Sequence, residues 1–446
     1  MTALAADIAA LALAFVALAV AVGGGFRISA GVVRVSVMSP WLPLLLSAVV
    51  TAVRHALMPR PTLASRISDW MIRLTSLECW RASWAPFLIS RASVLVVGVL
   101  ALFTIGIRPD APPLRVSDSD LVNLPLRWDA GWYMSVARIG YMWTPRDVGR
   151  QQNVAFFPAF PIAMRVMGRL FGSSGVAYLY GGLAISHVAF LWALLLLYQL
   201  ARDDLGDAAA AAAGVTLLAS YPFSVFHGAV YTESPFLLAV VGAVLAFKRE
   251  RWVHACLWGA LAGLTRPNGV LLSLTVGALA FSPRQTRPQG ETRRVPVGGL
   301  AAILAPVAGA AIYWLFLWQF TGNPFQWSEQ HEAWGRTFQG LEPLLNAHPF
   351  DVMNVMNAVP ALLAVAASIP IAMRLGWAYS VFILSNLLPP LLVGGFMSTG
   401  RLTATLFPLF IWMGSLSRRN TTLVVLTFAL LQGLMAALFY TWRGPY

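Results

Sequence analysis

Lysine is all but missing from this 446-residue chain: Lys248 is the single one among 31 basic residues. Charged residues of both signs make up only 11%. A soluble domain carries roughly 25%, so the charge content argues against a water-soluble fold of this size. Cysteine is equally scarce. Cys79 and Cys256 are too few for a disulfide framework, and they fall in a loop and in an apolar run, so no bridge between them is expected. There is no glycine-rich nucleotide loop and no soluble-type repeat. Glu329, His331 and Glu332 lack the HExxH spacing of a zinc enzyme, so no metal is expected.

What is present is apolar. Hydrophobic residues make up 58% of the chain. They gather in runs near the roughly 20 residues that cross a bilayer as a helix. Such runs lie at residues 5–24, 40–57, 87–107, 175–200, 208–226, 229–247, 252–265, 268–282, 298–319, 353–372, 376–396, 402–416 and 421–441. They are too continuous for alternating barrel strands, and backbone groups in lipid must be satisfied internally. The expected fold is all-α and polytopic, with about 11–14 transmembrane helices. The first run lacks a basic leader segment and is long for a signal peptide, so a retained first helix is expected.

The formal charge of +13 does not point to nucleic acid. Many arginines sit in short segments between apolar runs, as topology signals do. Arg54 to Arg81, Lys248 to Trp252, Ser282 to Pro296 and Ser417 to Asn420 read as cytoplasmic. The N-terminus then lies inside. Residues 108–174, the Tyr221–Ser234 turn, the "TRPN" turn, Thr321–Asp351 and "MSTGR" fall together on the opposite side. Residues 1–85 are expected to form N-terminal helices and a basic loop, 86–446 the main transmembrane domain, and 108–174 its first extracytoplasmic loop. The abundance of arginine suggests a GC-rich bacterial genome, hence an inner membrane with the site facing outward.

The unusual motifs all lie on that outer side. "LRWDAGWYMSVARIGY" fits a short amphipathic helix at the membrane surface, with Trp132, Val136 and Ile139 at helical spacing. Asp129 stands at its start, either as an N-cap or as a carboxylate able to take a proton from a substrate hydroxyl. Asp118 and Asp120 precede it in a polar loop. "FFPAFP" reads as an interfacial wedge. "YPFSVFHGAVYTES" places His227 and Glu233 between two apolar runs, where ionisable groups are costly and therefore functional candidates. Arg266 in "LTRPNG" and Arg401 in "STGRLTATLFP" are isolated arginines, suited to snorkelling or to clamping a phosphate. "TGNPFQWSEQHEAWGR" adds Trp327 and Glu329, with Gln330, His331, Glu332 and Trp334 beside them: aromatic, carboxylate and amide groups of the kind that hold a sugar.

Taken in order, these motifs resemble the GPI mannosyltransferase 2 family and its bacterial relatives, from about Ser117 to Pro408. The resemblance implies a GT-C-type glycosyltransferase, with mannose or another sugar delivered from a polyprenyl-phosphate donor. The acceptor would be a lipid, a glycan or a protein. It implies no cofactor and a single inverting displacement, with Asp129 as the base. Arg401, then Arg266, then Arg127 would hold the donor phosphate. Trp128, Trp132 and Tyr133 would line the site, and His227 and Glu233 would orient hydroxyls. A transporter or flippase of a lipid or lipid-linked sugar is the alternative, although such proteins place polar sites at the midplane of related halves.

Overall fold

The computed structural model describes residues 2–23, 26–30, 33–145, 149–282, 295–338, 340, 342, 352–416 and 418–444. Most of the basic segment 282–296 therefore lies outside the described residues.

Helices dominate. Among the described residues six are long and apolar enough to cross a membrane: Glu78–Thr104, Gly175–Leu205, Val297–Thr321, Asn354–Arg374, Trp377–Gly394 and Asn420–Tyr440. Ala208–Ser220 and Pro222–Gly228 together make a broken seventh, bent by 78°. The protein is an integral membrane protein. The expected count of 11–14 came from apolar runs, and several of those runs are shorter helices. Trp252–Thr265 has 14 residues and Leu272–Phe281 has 10. At 1.5 Å per residue neither reaches across about 30 Å of hydrocarbon. The run at 402–416 is likewise split, into Thr399–Thr403 and Phe407–Gly414.

The breaks have local causes. Pro222 and Pro267 each open a 3-10 turn, because the residue before a proline is steered away from helical backbone. Ser398 adopts the left-handed region, φ 59°, and begins the short turn that carries Arg401. Irregular backbone at membrane depth is tolerated where protein covers it, and every residue of Pro222–Gly228 is buried.

Two short helices stand in the first large loop, as expected. In Ala130–Ile139 the buried stripe is Ala130, Tyr133, Met134 and Ala137. This corrects the stripe read from the sequence: Val136 is buried, but Trp132 is only half-buried and Ile139 is 66% exposed. Ala159–Leu170 buries Phe160, Met164 and Gly168 at i, i+4 spacing. One feature was not legible as a strand pair: Phe26–Ala30 pairs antiparallel with Val33–Val37, the only sheet among the described residues.

The N-terminal helices hold their own ion cluster. Asp7 pairs with Arg54 at 2.8 Å and with Arg66 at 3.2 Å. Helix Glu78–Thr104 runs unbroken through residue 85, so no loop separates this part from the rest. The central helices approach closely through small residues. A Cβ on Gly263 would lie 2.0 Å from the Pro306 carbonyl oxygen, and one on Gly309 would lie 2.1 Å from that of Ala260.

Candidate active site

Four charged side chains converge, and each comes from a place where a helix starts or stops. Asp129 precedes helix Ala130–Ile139. Glu233 is the first residue of Glu233–Lys248, where the helix dipole favours an anion. Arg266 follows the last residue of Trp252–Thr265. Arg401 lies in the single turn Thr399–Thr403.

Arg401 links the two carboxylates. Its Nη1 donates to Asp129 Oδ2 at 2.6 Å, and its Nε donates to Glu233 Oε1. The same Oε1 accepts from Arg266 Nη1 at 2.7 Å. The Arg401 guanidinium also lies 4.6 Å from the centre of the Tyr231 ring. Tyr231 Oη in turn accepts the Asp129 amide at 3.0 Å. The "VYTES" segment thus fixes Asp129 from its backbone and Arg401 from its face.

The N-cap reading of Asp129 fails on geometry. Asp129 occupies the cap position, but its side chain caps no amide. The carboxylate is turned to Arg401 and remains 22% exposed. Its other oxygen, Oδ1, accepts no hydrogen bond from the described residues. The preceding Trp128 is held at φ 52°, a left-handed conformation that costs about 1–3 kcal/mol in a non-glycine residue. Packing maintains it: Trp128 Nε1 donates to the Phe439 carbonyl at 3.3 Å, and its ring lies 4.8 Å from that of Trp442.

Asp129, Arg266 and Arg401 open onto a cavity of about 870 Å³. Trp128, Trp132 and Tyr133 line it as expected, and Phe156, from the "FFPAFP" segment, joins them. Tyr133 donates to or accepts from Thr232 Oγ1 at 3.1 Å, and burial pushes its phenol up to about 12.

Five expected site residues sit elsewhere. Arg127 turns away: its Nε donates to the Tyr440 carbonyl at 2.8 Å and its Nη1 to that of Asn123 at 2.7 Å. It braces the loop against helix Asn420–Tyr440 and backs the Trp442 ring at 6.0 Å, without lining the cavity itself. His227 is fully buried, stacked on Phe190 at 4.4 Å and bonded to Ser234 and the Ala404 carbonyl. Glu233 is also fully buried, behind the two arginines. Trp327 packs on Phe157 at 5.5 Å, and Glu329 accepts from Asn323 at 2.6 Å.

Their loop lines the cavity with His331 and Trp334, both within the motif read from the sequence, and with Arg336, which sequence reasoning passed over, as it did Trp442. His331 Nδ1 donates to the Trp327 carbonyl at 2.6 Å, which leaves Nε2 as an acceptor. Burial pushes this imidazole down to about 4. The "WGR" tripeptide held a signal for Arg336, since glycine commonly ends a short helix. Trp442 gave none, because nothing local marks a contact over three hundred residues.

Comparison with known proteins agrees with the resemblance. Residues 107–285 match the family described as Mannosyltransferase (PIG-V). GPI mannosyltransferase 2 of Cryptococcus neoformans is 32% identical over 186 residues, covering 39% of this chain and 42% of the relative. Human GPI alpha-1,6-mannosyltransferase 2 is 30% identical over 206 residues, covering 44% and 38%. The aligned region thus spans about four tenths of these relatives' length. Among solved structures, an Archaeoglobus fulgidus oligosaccharyltransferase aligns over 81% of this chain and 53% of that one, with 13% identity and a TM-score of 0.45. The matched segment holds Asp129, Glu233 and Arg266, three of the four converging charges, and over it the chain is similar to the GPI mannosyltransferase 2 proteins.

Proposed function

We propose that the protein is a GT-C-type membrane glycosyltransferase. It transfers a sugar, mannose above all, from a polyprenyl-phosphate donor to an acceptor hydroxyl. The observation that carries this reading is the Asp129 carboxylate, on the wall of a cavity rich in aromatic rings and held by Arg401 at 2.6 Å. In a single displacement the acceptor oxygen attacks the sugar's anomeric carbon and inverts it. The acceptor's proton passes to Asp129 as the new bond forms. The bond from the anomeric carbon to phosphate oxygen breaks, and polyprenyl phosphate leaves with the electron pair. Negative charge grows on that phosphate, where fixed guanidinium groups in a water-poor cavity stabilise it most. Trp128, Trp132 and Tyr133 offer ring faces to the sugar's C–H bonds.

The arginine-rich connections support a site on the extracytoplasmic side of a bacterial inner membrane. A transporter would place its polar site between related halves at mid-depth, whereas the charges here gather at helix breaks around one cavity. The deciding experiment supplies membranes with radiolabelled polyprenyl-phosphate mannose and follows the label into product. Labelled product with the wild type and none with Asp129→Asn supports transfer. Label moving across the membrane on an unchanged donor would identify a transporter instead.

A further inference from the structure

Three arginines line the cavity, and two of them are already engaged. Arg401 divides its guanidinium between Asp129 and Glu233, and Arg266 rests on Glu233. Arg336 has no ion-pair partner and no side-chain hydrogen bond among the described residues, yet it opens onto the same cavity. Its placement is specific. Helix His331–Trp334 ends on Gly335 at φ 72°, and the Arg336 amide bonds back to the His331 carbonyl at 3.2 Å. The reversed chain sends the Arg336 side chain inward, its stem lying beside Gly394.

The charges do not balance. Among the described residues three guanidinium groups face two carboxylates, an excess of one positive charge around the cavity. An uncompensated charge in such a setting is costly, and a bound anion removes the cost. Resting on the glycosyltransferase reading above, we propose that Arg336 is the primary ligand of the donor phosphate, and that Arg401 serves to position Asp129. One excess charge matches a phosphodiester, which carries one negative charge, better than a pyrophosphate, which carries two. The donor class is therefore a sugar on a lipid monophosphate. The guanidinium fork suits two phosphate oxygens at once, which a lysine cannot reproduce.

The test uses detergent-purified full-length protein and two readouts. In transfer assays Arg336→Gln should raise the KM for polyprenyl-phosphate mannose by roughly 10–100-fold, about the 1.4–2.8 kcal/mol of a charge-assisted contact. The acceptor KM should not move. In thermal-shift assays polyprenyl phosphate should stabilise the wild type and fail to stabilise Arg336→Gln. This second readout needs no turnover, so it stands even if no transfer is found. Unchanged donor KM and unchanged stabilisation in Arg336→Gln would overturn the assignment. So would a wild type that polyprenyl phosphate does not stabilise, or one that phosphatidylglycerol stabilises equally through Arg336. If Arg336→Gln does not fold, Arg336→Lys decides: it keeps the charge, and wild-type donor KM in that variant overturns the bidentate contact.

Discussion

Asp129 and Glu233 are joined through a single guanidinium, that of Arg401. The two carboxylates differ in everything else. Glu233 is fully buried under two arginines, while Asp129 faces the cavity and is 22% exposed on its side chain. On the proposed function the first is a structural anion and the second the reactive one, and their substitutions should separate accordingly.

Asp129→Asn keeps the shape of the side chain and cannot take a proton. Turnover should fall by roughly two to four orders of magnitude, with thermal stability within a few degrees of wild type. Mannose transfer in membranes, with a melting curve of the purified variant, reads both. A variant that transfers at nearly the wild-type rate would remove Asp129 from the chemistry.

Glu233→Gln leaves Arg266 and Arg401 facing one another without their shared anion. Removing one partner of a buried ion pair costs about 3–5 kcal/mol. The expected outcome is a large drop in melting temperature and in yield of folded protein. Normal stability would show that the arginines find another counter-ion.

Arg127→Met removes bonds to the Tyr440 and Asn123 carbonyls and the guanidinium 6.0 Å from the centre of the Trp442 ring, behind the cavity wall, while Arg127 itself does not line the cavity. Stability should fall by about 1–3 kcal/mol, with the donor KM of the folded fraction unchanged within about twofold. A selective rise in donor KM would return Arg127 to the substrate site.

Burial holds the His331 imidazole at about 4 in the folded protein, against 6.5 for a free one. Between those pH values the unfolded chain binds a proton that the folded chain does not. This contribution to stability is complete above about pH 6.5 and shrinks as pH falls toward 4. Melting temperatures at pH 7 and pH 5 should differ less in His331→Gln than in the wild type. An identical pH slope in both proteins would place the sensitive groups elsewhere.

Arg150 and Glu332 are exposed near the cavity mouth, and Arg251 is exposed in the Lys248–Trp252 connection. In a background of Cys79→Ala and Cys256→Ala, cysteines at 150 and 332 should react with an impermeant reagent from outside intact cells. A cysteine at 251 should not. Labelling of 150 and 251 from one side would reverse or break the topology.

The class of fold was legible because composition determines it: 11% charge and long apolar runs leave few alternatives. Arg266 and Arg401 were legible for a related reason, since each is a charge stranded at the end of an apolar run, and Asp129 was legible as the carboxylate at the start of a short amphipathic helix. Depth and direction were not. His227 and Glu233 looked like wall residues because a sequence cannot say which side of a buried turn faces a void. Arg127 and Asp129 are two residues apart, yet they point into protein and into the cavity respectively, because Trp128 between them is left-handed. In "QWSEQHEAWGR" the choice fell on Trp327 and Glu329, but the chain reverses at Gly335 and presents Trp334 and Arg336 instead.

Trp442, like Trp128, is held in the left-handed region, at φ 61°, and these two rings share one wall of the cavity. A ribosome makes Trp128 early and Trp442 more than three hundred residues later. Until Trp442 has been threaded into place, Trp128 lacks the ring and the Phe439 carbonyl that hold its unfavourable backbone, and Asp129 next to it is held from the side of Tyr231 and Arg401 alone. A nascent chain that has already inserted most of its helices therefore still lacks one wall of the cavity in which the proposed transfer would take place. That wall is complete only when the chain has been made past helix Asn420–Tyr440.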